Sequence, residues 1–179
     1  MSPDSIQQRA LETWYEDDND LQKCPYPCLL GLAGEAGELV DLLKKDCYKP
    51  RYRVKRKEWL GEAGDVLFYL AIRCFQLEVT LKQLPSMIRF NDDLPILFGQ
   101  QTFDKAIVTM NETAAELLAY YWTNTRRLAS ELEKLGIILA CVKSICREFV
   151  VTLDQLSWMN YEKLAERESN GTGYNRGRD

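Results

Sequence analysis

Gly34-Glu35-Ala36-Gly37-Glu38-Leu39 is repeated, nearly letter for letter, by Gly61-Glu62-Ala63-Gly64-Asp65-Val66. Each copy sets two acids three residues apart, just under one helical turn, so each pair projects from one helix face. The stripe through Glu35 and Glu38 runs on to Leu42, and the stripe through Glu62 and Asp65 runs on to Phe68, Tyr69 and Ile72. The acids thus occupy seam positions of helices whose other seam residues are apolar. Ionised carboxylates turned inward are costly unless paired or bound to metal. An all-oxygen donor set suits a hard cation, Mg²⁺ or Mn²⁺. The competing reading is solvated acids at frayed helix ends. It would suit one Glu-x-x-Glu better than two in apolar contexts on successive helices.

Working outward, the 179 residues fit one domain, or two small ones packed as one. A formal charge of −4 and the lack of a broad basic face argue against nucleic acid as a partner. No apolar run is long enough for a bilayer, and the polar start Met1-Ser2-Pro3-Asp4 does not read as a signal peptide, so a cytoplasmic protein is expected. Cys24 and Cys28 have the spacing of half a zinc site, but no second pair follows, and Cys74, Cys141 and Cys146 fall in apolar helical runs as buried thiols. There is no histidine, which excludes Ser-His-Asp triads and Glu-x-x-His di-iron sites. Hydrolytic chemistry here has to rest on carboxylates and a cation.

The pattern predicts an all-α chain. A first helix is expected over 3–16, with Ser2 as N-cap and Pro3 in its first turn. Asp17-Asp18-Asn19-Asp20 reads as a solvated turn. The acid-bearing helices are expected over 27–47 and 58–78, with Lys44 and Lys45 in the last turns of the first and Glu58 a further candidate for the acid cluster. Between them runs a basic stretch holding Lys49, Arg51, Arg53, Lys55, Arg56 and Lys57, either a solvated loop or a contact for polyphosphate. Thr80 is expected to cap a short helix from Leu81 towards Phe90, and 91–99 reads as a linker.

Beyond the linker the wording recurs. Val79-Thr80-Leu81-Lys82-Gln83-Leu84 returns as Val151-Thr152-Leu153-Asp154-Gln155-Leu156, with Cys74 matching Cys146, Gly64 matching Gly136 and Leu60 matching Leu132. Further back, Glu38-Leu39 matches Glu116-Leu117 after a shorter loop. This reads as an internal duplication whose second copy has lost its acids: Lys134 stands for Glu62, Ile137 for Asp65 and Thr113 for Glu35. The units expected are 1–98 with the acid motif, 99–168 as a degenerate repeat with helices over 103–127, 129–149 and 152–167, and a Gly-rich tail over 169–179.

Glu35, Glu38, Glu62 and Asp65 in this setting resemble the signature of the MazG-like and dimeric dUTPase superfamily of all-α nucleotide pyrophosphohydrolases. Leu30 through Glu38 and Gly64 through Ala71 are similar to its bacterial and phage branch, as are Asn160-Tyr161-Glu162-Lys163-Leu164 and the tail Gly171-Thr172-Gly173-Tyr174-Asn175-Arg176. The resemblance implies a four-helix-bundle-type fold and hydrolysis of a nucleoside triphosphate between its α and β phosphates, with deoxyribonucleotides favoured. It implies Mg²⁺, or Mn²⁺, held by Glu35, Glu38, Glu62 and Asp65, with Glu38 or Glu35 orienting water. Lys44, Lys45, Lys163 and Arg176 would meet the pyrophosphate, Asn160 the sugar or base, and Trp59, Phe68 and Tyr69 the base, although Phe68 reads better as core. Gly34 stands where some relatives carry a further Glu, and Tyr174 replaces an acid of the tail. Relatives assemble their bundles from two chains, so a homodimer is expected. The alternative is a non-catalytic helical protein that binds nucleotide or a partner and keeps the bundle.

Overall fold

A computed structural model describes residues 2–14, 24–48, 53–87, 103–123 and 128–170. Asp17–Asp20, Lys49, Arg51, the 91–99 linker with the expected unit boundary, and the tail with Tyr174 and Arg176 lie outside the described residues. Among the described residues the regular structure is all helical, with helices α1 Ser5–Glu12, α2 Tyr26–Tyr48, α3 Arg56–Gln76, α4 Phe103–Trp122, α5 Leu128–Glu148 and α6 Leu153–Ser169, and a 3₁₀ turn at Leu84–Met87. None of these helices is long and apolar enough to cross a membrane.

Helix α2 packs against α3 and α4, and α5 packs against α4 and α3, so these four share one core. Leu29, Leu32 and Leu39 of α2, Leu60, Leu67 and Leu70 of α3, Met110 and Leu117 of α4 and Leu135 of α5 are fully buried there. Helices α1 and α6 touch each other and both rest on α3. Gly64 permits the α6 approach: a Cβ there would lie 3.1 Å from Asn160 Cβ.

Helix boundaries depart from the sequence expectation where side chains capture backbone groups. Asp4, not Ser2, opens α1: its Oδ1 accepts from the Ile6 and Gln7 N–H groups at 3.1 and 3.0 Å, and the Gln7 side chain accepts from the Asp4 N–H. The other Asp4 oxygen accepts from the Leu81 N–H at 3.1 Å, which fastens the start of α1 to the end of the α3 hairpin. Helix α1 stops at Glu12 because Thr13 turns its N–H onto the Ala10 carbonyl. The helix expected after Thr80 is only a turn and one 3₁₀ segment within the described residues. There the Thr80 N–H and hydroxyl both meet Gln83 Oε1, and Pro85 has no N–H to give.

Helices α3 and α5 have 21 residues each and run at a constant offset of 72 residues. Both end alike. Glu78 and Val150 take the left-handed conformation (φ 57° and 53°), and the Val79 and Val151 N–H groups donate to the Cys74 and Cys146 carbonyls at 3.0 and 2.9 Å.

Candidate metal centre

Glu35 on α2 and Glu62 and Asp65 on α3 bring one carboxylate oxygen each within 4.8 Å of one another, and all three are half-buried. The two helices pack directly, and the i, i+3 spacing on α3 turns both of its acids towards the same seam. Burial, then Asp65, then Glu62 raise Glu35 to about 7, against an ordinary 4.5. Glu62 is raised too, by burial first and Asp65 next, while Lys163 and Arg167 pull it down. The centre therefore carries more negative charge than its surroundings compensate.

Glu38 does not join the trio. It is exposed one turn along α2, close enough to contribute repulsion to both Glu35 and Glu62. Glu58, the further candidate, instead accepts from the Lys55 N–H at 2.8 Å and caps α3.

Helix α6 supplies the partners of Asp65. Asn160 Nδ2 donates to Asp65 Oδ1 at 2.6 Å, and Lys163 Nζ pairs with Asp65 Oδ2. Asn160 is buried and braced on Gly64, so this hydrogen bond is spent inside the protein. Lys44 and Lys45 both pair with Asp41, holding that carboxyl below the usual range. Trp59, expected to stack on a base, is 4 % exposed and packs edge-on against Phe103 at 4.8 Å, so it is part of the core. Phe68 and Tyr69 pack on each other and on Trp14, with centroids 5.2 to 6.0 Å apart. The Tyr69 ring fills the space beside Gly31, where a Cβ would come within 2.3 Å of it. A cavity of about 10 Å³ lies behind Asn160, lined by Arg9, Thr13, Gly64 and Ser157 among others. It has room for one water and none for a nucleobase.

Two features escape the sequence reading. Arg167 acts on Glu62 from the turn after Lys163, and the spacing Asn160, Lys163, Arg167 along one face was the available signal. The second is a buried network joining α3, α4 and α5. Arg73 Nε donates to Glu131 Oε1 at 2.7 Å, and Arg73 also meets the Tyr121 hydroxyl, which reaches Glu131 Oε2 at 3.2 Å. The Arg73 and Glu131 side chains are 4 % and 2 % exposed. No periodicity announces a pair 58 residues apart. Cys74, Cys141 and Cys146 are buried thiols as expected, and burial pushes Cys141 up to about 12 and Cys146 to about 11; of the Cys24 and Cys28 pair, Cys24 is exposed and Cys28 buried within α2.

In the other half, Lys134 of α5 pairs with Glu116 of α4 and lies over the Tyr120 ring at 5.1 Å. Thr113 turns its hydroxyl onto the Thr109 carbonyl at 2.7 Å. No family model, curated protein or solved structure matches the chain.

Proposed function

We propose that the chain is a Mg²⁺- or Mn²⁺-dependent nucleoside triphosphate pyrophosphohydrolase of the MazG-like and dimeric dUTPase superfamily, built as a four-helix bundle from a degenerate tandem repeat. The observation that carries the reading is the convergence of Glu35, Glu62 and Asp65 from two helices, with Glu35 raised to about 7. Three carboxylates that share one space and repel one another fit a divalent ion by charge and by donor type. The common helix length, offset and terminal turn of α3 and α5 support the repeat.

In this reading Glu35, Glu62 and Asp65 would hold the cation, whose chemistry when bound would be to neutralise phosphate charge and acidify water. Asn160 keeps Asp65 aimed. Glu38, outside the trio and exposed, orients the water that attacks the α phosphorus in line, and pyrophosphate leaves with the β oxygen. Lys163 and Arg167, with Lys44 and Lys45 once released from Asp41, face the pyrophosphate as point charges, and Arg176 of the tail joins them. A cytoplasmic role in the nucleotide pool, with deoxynucleotides as substrates, goes with this activity. So does a homodimer through exposed apolar side chains such as Leu30, Trp122 and Leu128.

One observation favours a second reading, a non-catalytic helical protein that binds nucleotide or a partner: Lys163 already pairs with Asp65 and partly neutralises the cluster. A screen of all natural ribo- and deoxyribonucleoside triphosphates, with and without Mg²⁺ or Mn²⁺, separates the two. The expected result is metal-dependent release of pyrophosphate and the monophosphate. Orthophosphate as the product would overturn cleavage at the α–β bond, and nucleotide binding without release would favour the second reading.

A further inference from the structure

Both oxygens of Asp65 are taken by α6, but by partners of unlike kind. Asn160 is buried, short and braced against Gly64, so it has nowhere to go. Lys163 reaches the other oxygen on a flexible four-carbon stem with 27 % of its side chain exposed, so the ammonium can swing towards solvent without moving the backbone. Glu35 and Glu62 share a space with Asp65, one carboxylate oxygen of each lying within 4.8 Å of the others. Among the described residues, the Lys163 ammonium is the cation that pairs directly with a carboxylate of the cluster. In the other half a lysine also pairs with an acid: Lys134, at the position matching Glu62, pairs with Glu116, at the position matching Glu38.

We propose that Lys163 is a resident counter-ion that holds Asp65 Oδ2 until a divalent cation takes that oxygen, so that cation entry and Lys163 departure are a single exchange. The proposal rests on the metal reading above. It implies that the cation binds before the nucleotide, because Lys163 is free to meet an anion only after the exchange. Asn160 stays on Oδ1 throughout and keeps the carboxylate aimed.

Mn²⁺ binding measured by electron paramagnetic resonance at pH 8, without nucleotide, tests it on the full chain. Lys163→Met is expected to bind Mn²⁺ roughly three- to fivefold more tightly than the wild type, since a competitor is gone, and Lys163→Arg to bind like the wild type. Equal or weaker binding by Lys163→Met would overturn the exchange while leaving the metal reading intact. Mn²⁺ bound by none of the three would overturn both. Should Lys163→Met fail to fold, the ¹⁵N-labelled lysine ammonium signals of the wild type decide the matter. The protected Lys163 signal is expected to vanish as Mg²⁺ is added, and its persistence at saturating Mg²⁺ overturns the proposal.

Discussion

Helices α3 and α5 are equal in length, end on the same left-handed turn and sit in one core, yet their seams hold opposite charge. On α3 Glu62 and Asp65 face Glu35 of α2, and the seam is left short of positive charge. On α5 Lys134 and Ile137 occupy the matching positions, and Lys134 pairs with Glu116 of α4. The backbone tolerates either. What differs is whether an acid meets a single lysine, as Glu116 meets Lys134, or shares its space with other acids, as Glu35, Glu62 and Asp65 do. A half that neutralises itself is spared the repulsion that a binding site has to carry.

The comparison breaks most visibly in turnover. Glu38→Gln and Asp65→Asn are each expected to lower pyrophosphate release by at least about 100-fold with the far-ultraviolet dichroism unchanged, whereas Glu116→Gln leaves the rate where it was. A comparable loss in Glu116→Gln would mean that the second half also does chemistry.

Next in size is the seam between the halves. Glu131→Gln takes the opposite charge from the buried Arg73 guanidinium, which keeps its contacts to Gln76 and Tyr121, and is expected to cost about 3 kcal/mol in a urea melt. Lys134→Met, which cuts an ion pair whose Glu116 side chain is exposed, is expected to cost below about 1 kcal/mol. Equal losses would mean that burial does not separate the two pairs.

The pH dependence of the metal-free protein sharpens the contrast further. A carboxyl raised from 4.5 to about 7 by folding holds its proton more tightly in the native state. Its contribution to stability is therefore fully present below pH 4.5 and is lost as the pH rises through about 7. The melting temperature without metal is expected to fall across that window and, at pH 8, to be restored by Mg²⁺. Glu35→Gln is expected to flatten that part of the profile and to abolish the Mg²⁺ response, although it melts higher than the wild type at pH 8 without metal. An unchanged pH profile in this variant would remove Glu35 from the cluster.

The smallest effect concerns the matching helix ends. Val150 is β-branched, 89 % exposed and left-handed, so Val150→Gly is expected to stabilise by about 1 kcal/mol, and Glu78→Gly by less. Thermal melts of the two variants check the order.

Spacing told which helices carry acids and which face they share, because the i, i+3 period is a local property of the chain. It did not tell that three acids converge while Glu38 stands off. That depends on where α2 and α3 touch, and no local period encodes the contact. Asn160 and Lys163 were noticed by their wording, but their partner Asp65 lies 95 and 98 residues away. Trp59 illustrates the reverse error: an aromatic beside an acid motif was assigned to a ligand when Phe103 of α4 was waiting for its edge. The stop after Thr80 was legible in hindsight. Pro85 stands 72 residues before Ser157, the offset that separates α3 from α5; after Thr80 the described chain makes only a 3₁₀ turn, whereas after Thr152 it runs on as α6.

The dependence of Asp65 on α6 has a consequence for biosynthesis. Ninety-eight residues separate Asp65 from Lys163, so at roughly 5–20 residues per second the ribosome needs about 5–20 s to deliver the ammonium after the carboxylate has been made. For that interval α2 and α3 are present without the Asn160 and Lys163 partners of Asp65. The order of synthesis thus puts the repelling carboxylates of the seam in place before the side chains that hold Asp65.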